Sequence, residues 1–365
     1  MNILIYGPFY SRARDVESLM LKFKQLGHQV FFLTTSDRRG PVMDYSEKSG
    51  VHVYLAEGKY RSRILSILFS IYYLWKFIKR HKIQLVFSHL ESNNFTATIV
   101  GFFTKAKIVI NRHHADDFVL NGWSSRWDYR MTNTFCKECI VYSDYAKRVM
   151  IEQEGMTAGK VKVMKLSYDF SLYDQPNSAK VVEVKARTNG LVLLTVGRLV
   201  KFKRTEQAIL VLNELRSNNI DATLIIIGDG EEQEYLLALI DRLNLQSNCI
   251  MTGRIDNVMD YISACDVLLH PSVSESSCVV VKEAGLESKI VIANKGVGDF
   301  DSYLEHGVNS FLVHPSNFVE ETVFCIKGLM SNRQNFKRMG ANLNKDIYKL
   351  FDINNNFSQY DRYFS

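Results

Sequence analysis

The sequence predicts an α/β protein made of two tandem domains, each built around a parallel sheet. Short apolar runs rich in Val and Ile alternate with longer amphipathic segments, the pattern that β-α-β units leave in a sequence. The alternation comes in two series separated by a stretch where it lapses. The chain has 365 residues, beyond the usual size of one domain, so two domains of about 150 to 200 residues are expected.

The first series comprises residues 2–6, 29–34, 84–88, 107–111 and 139–142, and the second 191–196, 223–228, 266–270, 289–293 and 310–313. Two α/β domains in tandem are the economical reading. Between the series, YDFSLYDQPNSAK loses apolar periodicity, and Pro176, Asn177 and Ser178 mark a loop. This places an N-terminal domain over 1–170, a linker over 171–189 and a C-terminal domain over 190–340. From Phe318 onward the pattern is helical, with Phe324, Ile326, Leu329, Phe336 and Met339 among the apolar positions. Residues 341–365 are expected to form a helical tail, with a return to the N-terminal domain as one course open to it. No internal repeat or low-complexity segment stands out.

Hydrophobic residues make up 46%, aromatics 12% and charged residues 23% of the chain. That composition supports two cores and excludes a mini-protein or a disordered chain. The formal charge of +6 and a sequence pI near 8.8 suit a phosphate-bearing ligand or an anionic surface without deciding between them. The six cysteines are dispersed, and the opening MNILIY lacks the basic and apolar regions of a leader. A reduced, cytoplasmic protein is the expectation. Cys136 and Cys139 form a C-x-x-C, but no second Cys/His pair follows at zinc spacing, so they read as packing residues.

Residues 59–82, KYRSRILSILFSIYYLWKFIKRHK, carry seven Lys or Arg and no acidic residue. The apolar stretch within them is too short and interrupted to span a bilayer. Two readings fit, a core helix with basic ends and an interfacial helix on the anionic inner face of the cell membrane. They are compatible if one helix face packs on the sheet and the other meets lipid.

The second half holds three clusters of interest. After LVLLTV come Gly197, Arg198, Leu199, Val200, Lys201, Phe202, Lys203 and Arg204, leading into a helix. Cations and unpaired helix amides converging after a strand form a diphosphate site. A second strand ends in Gly228-Asp229-Gly230, where glycines allow close backbone approach at the carboxyl edge of the sheet. In HPSVSESSCVVVKEAG, Glu275 and Glu283 stand eight residues apart. With one in the loop and the other on the following helix, both carboxylates can face one crevice and accept hydrogen bonds from sugar hydroxyls and a ribose.

Taken in order, Gly197-Arg198 with Lys203, Gly228-Asp229-Gly230, Gly253-Arg254, residues 266–272, Glu275 with Glu283 and Ala284, and residues 296–313 resemble retaining glycosyltransferase family 4, the glycosyl transferases group 1. The N-terminal half fits as well, with its opening strand, its helix ending in Gly27-His28-Gln29-Val30 and its basic helix. The resemblance covers essentially the whole chain. It implies a GT-B fold, two Rossmann-like domains with parallel sheets facing each other across a cleft. It further implies that Arg198 and Lys203 clamp the donor diphosphate, that Glu275 contacts the donor sugar and that Glu283 holds the ribose. The amides of Ser276, Ser277, Cys278 and Val279 would approach sugar and phosphates, and Arg254 lies where the family holds the base.

Three departures stand out. Ser276-Ser277-Cys278 replaces the family's glycine-aromatic-glycine, putting side chains where backbone would approach the sugar. Residues 285–289, GLESK, replace a small-residue and Cys-Gly turn. Gly298-Asp299-Phe300-Asp301 replaces paired glycines followed by a glutamate; its D-x-D string matches a structural, phosphate-proximal turn rather than a metal site.

In the N-terminal half, the strand 107–111 is followed by Arg112-His113-His114-Ala115-Asp116-Asp117. The family commonly has a histidine at this strand end, which makes His113 the first choice and His114 the second for contact with donor sugar or acceptor. The string resembles a zinc site, but the family implies neither metal nor cofactor, the nucleotide sugar being a co-substrate. Asp116, Arg12 in the first turn, and His89 and Glu91 after LVFS complete the acceptor-side candidates.

The function expected is retaining, metal-independent transfer of a hexose from a UDP- or GDP-linked donor to a hydroxyl of a surface polysaccharide or lipid-linked glycan. Two alternatives stand beside it, an epimerase or phosphorylase on the same fold and a non-catalytic, membrane-peripheral nucleotide-sugar-binding protein. No nucleic-acid partner is expected.

Overall fold

The computed structural model describes residues 1–56, 62–113 and 123–364, and all statements below concern these. The chain divides into two compact units, Met1–Tyr173 with Phe351–Ser365, and Asp174–Leu350.

The first unit holds a parallel sheet of β1 (Asn2–Gly7), β2 (Gln29–Thr34), β3 (His52–Leu55), β4 (Leu85–His89), β5 (Lys107–Arg112), β6 (Cys139–Val141) and β7 (Val161–Val163). Their order is β3-β2-β1-β4-β5-β6-β7. β1 and β4 are almost wholly buried, as central strands covered on both faces must be. The helix Arg63–Arg80 packs Leu74, Phe77 and Ile78 into the core with Leu4, Phe31 and Val86. Cys136 and Cys139 are free thiols in the cluster with Ile110, Val141 and Met150, and burial raises both thiol pKa values.

The second unit has β8 (Leu191–Val196), β9 (Ala222–Ile227), β10 (Cys249–Gly253), β11 (Val267–His270), β12 (Ile290–Asn294) and β13 (Phe311–Val313), in the order β10-β9-β8-β11-β12-β13 and parallel throughout. Helices Thr205–Ser217 and Phe318–Met330 cover one face with Ala208, Ile209, Leu212, Val323, Ile326 and Leu329.

Two boundaries differ from the sequence expectation. The stretch 171–189 includes a helix, Ser178–Ala186, whose N-cap Asn177 accepts from the amides of Ala179 and Lys180. Only Val184 of this helix is buried, so apolar periodicity had little to register. The limit at 340 falls inside the helix Arg333–Phe351, and the segment that joins the first unit begins at Phe351. There Phe357, Tyr360 and Phe364 pack edge-on against Phe23.

Candidate functional site

In the second sheet, connections run outward from β8 to β9 and β10 on one side and from β11 to β12 and β13 on the other. Loops leaving β8 and β11 therefore part to opposite faces, and the crevice between them is where open α/β sheets bind ligands. The β8 loop carries Gly197, Arg198 and the 3-10 turn Lys201–Lys203; the β11 loop runs from Pro271 to Cys278. Val273 N donates to Phe202 O at 2.9 Å, tying the loops together. Asn294, at the end of β12, donates to Pro271 O at 2.7 Å and Ser272 O at 3.0 Å.

Four side chains meet between these loops. Lys203 Nζ donates to Glu275 Oε1 at 2.5 Å, and His270 Nε2 lies 2.8 Å from the same oxygen. Cys278 Sγ is 3.5 Å from His270 Nε2. Burial works against the charge on His270, but Cys278 and Glu275 outweigh it and raise its pKa to about 9. Burial also works against Glu275, and the hydrogen bond and charge of His270, joined by Lys203, hold its pKa down at about 2. At neutral pH the site thus carries a carboxylate clasped by two cations. His270 was not singled out from the sequence, although its place as the last residue of DVLLH, at a strand's carboxyl end, is the signal that marks it.

Ligand atoms of His270, Glu275 and Cys278 lie within 4.8 Å of one another, a nitrogen, oxygen and sulfur set of the kind that suits zinc. The Lys203 ammonium is already paired with this carboxylate, at Oε1.

Arg198 is exposed, its guanidinium 5.7 Å from the ring centroid of Phe202, and Lys203 Nζ lies at the same distance from that ring. Gly228 and Gly230 are accounted for by packing of loop on loop. A Cβ on Gly228 would fall 1.9 Å from Gly197 O, and one on Gly230 would fall 2.3 Å from Leu199 O. The same contact is sealed by Leu199 N donating to Asp229 O at 2.7 Å. These glycines shape the crevice wall through the β8 loop. Arg254 is exposed just beyond β10.

The helix Val279–Leu286 begins in the β11 loop, and Cys278 at its N-cap supplies no side-chain hydrogen bond to the first-turn amides. Ser276 is buried with Oγ lacking a hydrogen-bond partner, Ser277 Oγ donates to Asp299 Oδ2 at 2.6 Å, and Val279 is exposed. Glu283 is half-buried on the same helix. Neither carboxylate of the D-x-D string is idle, since Asp299 pairs with Lys282 and Asp301 accepts from Gly296 N.

In the first unit, β4 and β5 are adjacent; β4 ends at His89, and His113 directly follows the last residue of β5, Arg112. His89 Nδ1 lies 2.8 Å from His113 Nε2, so one ring donates and the other accepts. Burial, helped by His113, pushes the His89 pKa well below its ordinary value and keeps it neutral. Phe9 of the first turn contacts both rings edge-on. Beneath them Arg112 is buried, paired with Glu154 at 2.9 Å and with Glu91 at 3.3 Å. Burial opposes the Arg112 charge, and Glu154 and Glu91 more than restore it. Glu91 therefore belongs to a buried ion cluster. Arg12 is likewise engaged, by Glu17 at 2.6 Å and by the Tyr45 ring at 4.0 Å. His114 and Asp116 lie outside the described residues.

Fold and site together place the molecule in the GT-B class of glycosyltransferase-like proteins. The family models agree in chain order, Glycosyltransferase Family 4 over residues 13–170 and Glycosyl transferases group 1 over 178–346. The chain belongs to glycosyltransferase family 4.

Among curated relatives it is similar to the N-acetyl-alpha-D-glucosaminyl L-malate synthase of Bacillus anthracis, 24% identical over 47% of this chain and 44% of the relative. It is also similar to the UDP-Gal:alpha-D-GlcNAc-diphosphoundecaprenol alpha-1,3-galactosyltransferase of Escherichia coli, 22% identical over 86% of each. The chain spans less than two thirds of the length of several other curated relatives it matches. Of solved structures, Anabaena HepE in complex with UDP-glucose superposes with a TM-score of 0.83 at 21% identity, over 100% of this chain and 99% of that one.

Proposed function

We propose that the chain is a retaining glycosyltransferase that moves a hexose from a nucleoside-diphosphate sugar, UDP-linked before GDP-linked, to a hydroxyl of a surface polysaccharide or lipid-linked glycan. The observation that carries the reading is the convergence of Arg198, Lys203, Glu275 and the uncapped start of helix Val279–Leu286 at the β8/β11 switch point. The UDP and UDP-glucose complexes of the Anabaena neighbour and the UDP-Gal donor in the Escherichia coli relative's name favour a uridine donor.

The chemistry asks for stabilisation of charge on the departing diphosphate, which preorganised cations and amides supply. Arg198 stands exposed for this, while Lys203 must turn from Glu275 towards phosphate when the donor arrives. Glu275 keeps His270 as its partner through that exchange and so stays ionised to accept from a sugar hydroxyl. Charge neutralisation by the protein's own cations removes the need for a divalent ion. Retention follows the family's front-face attack, without a protein nucleophile. We assign Glu283 to the ribose, Arg254 to the base, and His113 with His89 to the sugar and acceptor.

A peripheral site on the inner face of the cell membrane completes the reading. On the helix Arg63–Arg80, Ile64, Leu68, Tyr72 and Trp75 recur at helical spacing and are all exposed, with Lys76, Lys79 and Arg80 toward its end and Lys82 just past it. An apolar stripe bordered by cations suits an anionic lipid surface. Among the described residues no helix is long and apolar enough to cross a membrane.

The test is product analysis with labelled UDP- and GDP-hexoses, with and without a polyprenyl-diphosphate glycan. Acceptor-dependent nucleotide release with an α-linked product from an α-linked donor is expected. A sugar changed while still on its nucleotide would mark an epimerase, and binding without turnover a non-catalytic protein.

A further inference from the structure

We propose that Lys282 and Asp299 form a latch that positions the Glu275–Cys278 loop, with Ser277 as the catch they share; the proposal rests on the assignment of Glu275 to the donor sugar. Lys282 is wholly buried, a place a lysine holds only when its charge and its donors are met. Its ammonium donates to Asp299 Oδ2 at 2.8 Å, to Ser277 Oγ at 2.9 Å and to Cys278 O at 3.1 Å, which uses all three of its donors. The Tyr303 ring closes over it at 4.9 Å. Asp299 is itself buried, and the same Oδ2 also accepts from Ser277 Oγ.

The latch joins two segments that flank Glu275. Lys282 lies on the helix that follows the loop, and Asp299 in the turn after β12. That turn touches Glu275 directly, since Gly298 has a φ of +57° and a Cβ there would stand 2.8 Å from Glu275 Cβ. Displacement of Asp299 is therefore transmitted to Glu275 through Gly298 and to Ser277 and Cys278 through hydrogen bonds. A loop lacking glycines has side-chain bonds available to hold its shape, and here Ser277 supplies them where a hydrophobic side chain could not.

Lys282 and Asp299 are positioning residues, for neither is assigned a contact with the donor. Arg198 and Arg254 lie outside the network, so its loss should weaken the hold on the sugar more than the hold on the nucleotide.

The experiment uses the full chain with Lys282→Met and Asp299→Asn, and the double variant Lys282→Met/Asp299→Leu, which removes both charges and so folds even where a lone buried charge prevents it. The first readout needs no donor. Alkylation of Cys278 by iodoacetamide, followed by peptide mass spectrometry with Cys325 as internal control, should accelerate about tenfold or more as the loop opens. The second is calorimetric titration with UDP and with UDP-glucose, where affinity for the sugar nucleotide should fall several-fold more than affinity for UDP. Cys278 reactivity equal to wild type in a variant that melts normally would overturn the latch, whatever the donor proves to be. Equal losses for UDP and UDP-glucose would overturn its link to the sugar.

Discussion

Raising the pH from neutral to about 9.5 should loosen the second unit by a calculable amount, because it removes the proton on His270. This ring is buried, protonates at about 9 when folded and at 6.5 otherwise. A group whose folded pKa is raised stabilises fully below its unfolded pKa and loses that contribution as pH climbs through the folded one. Linkage gives about 3 kcal/mol at the acid limit, about 2.5 kcal/mol at pH 7 and less than about 0.5 kcal/mol at pH 9. Glu275 titrates at about 2, so its contribution is present above the ordinary carboxylate range and changes nothing in this window. The perturbation is His270→Gln, and the assay is calorimetric melting of wild type and variant side by side from pH 6.5 to 9.5. Subtracting the variant cancels the titrating groups that do not touch His270. The wild-type advantage should shrink by about 3 kcal/mol across that range, roughly 6 to 12 °C for a unit of this size. An advantage that stays constant with pH would refute the account of the Lys203–Glu275–His270 cluster.

Other outcomes follow from the same structure. Arg112→Met leaves Glu154 buried without its main cation and should cost the first unit about 3 to 5 kcal/mol. Urea unfolding by tryptophan fluorescence will read it, since Trp75, Trp123 and Trp127 all lie in that unit, and Arg112→Met/Glu154→Leu should recover most of the loss. Gly228→Ala forces a Cβ into Gly197 O, and a fall in melting temperature together with weaker nucleotide binding is expected. Reversing Lys76, Lys79 and Arg80 to Glu should remove binding to phosphatidylglycerol vesicles, at roughly 1 kcal/mol per cation lost. Unchanged co-sedimentation would show the exposed stripe on that helix to have another use.

The sequence was most informative where physics leaves a period. Central strands such as β1, β4, β8 and β9 are apolar on both faces and visible as runs, whereas β3, β7 and β10 at the sheet edges are short or partly exposed and left no such run. The helix Ser178–Ala186 went unread for a related reason, its surface being mostly solvated. In the site, order and spacing led to Lys203 and Glu275, and the structure places them in contact. The sequence could not reveal that the backbone Gly228 and Gly230 make room for is that of the β8 loop, that Arg12 and Glu91 are tied into ion pairs, or that Lys282 reaches Asp299. Those relations depend on which loops become neighbours, and no local pattern encodes them.

The central claim, a nucleotide-sugar site at the β8/β11 switch point, is tested most directly by thermal stabilisation of wild type and Arg198→Ala with UDP-, GDP- and ADP-sugars. Selective binding to the native state at a hundredfold excess over Kd adds about 2.7 kcal/mol. The account predicts a rise in melting temperature with the uridine donor that is largely lost in Arg198→Ala. No rise with any nucleotide sugar, or an equal rise in the variant, would contradict it.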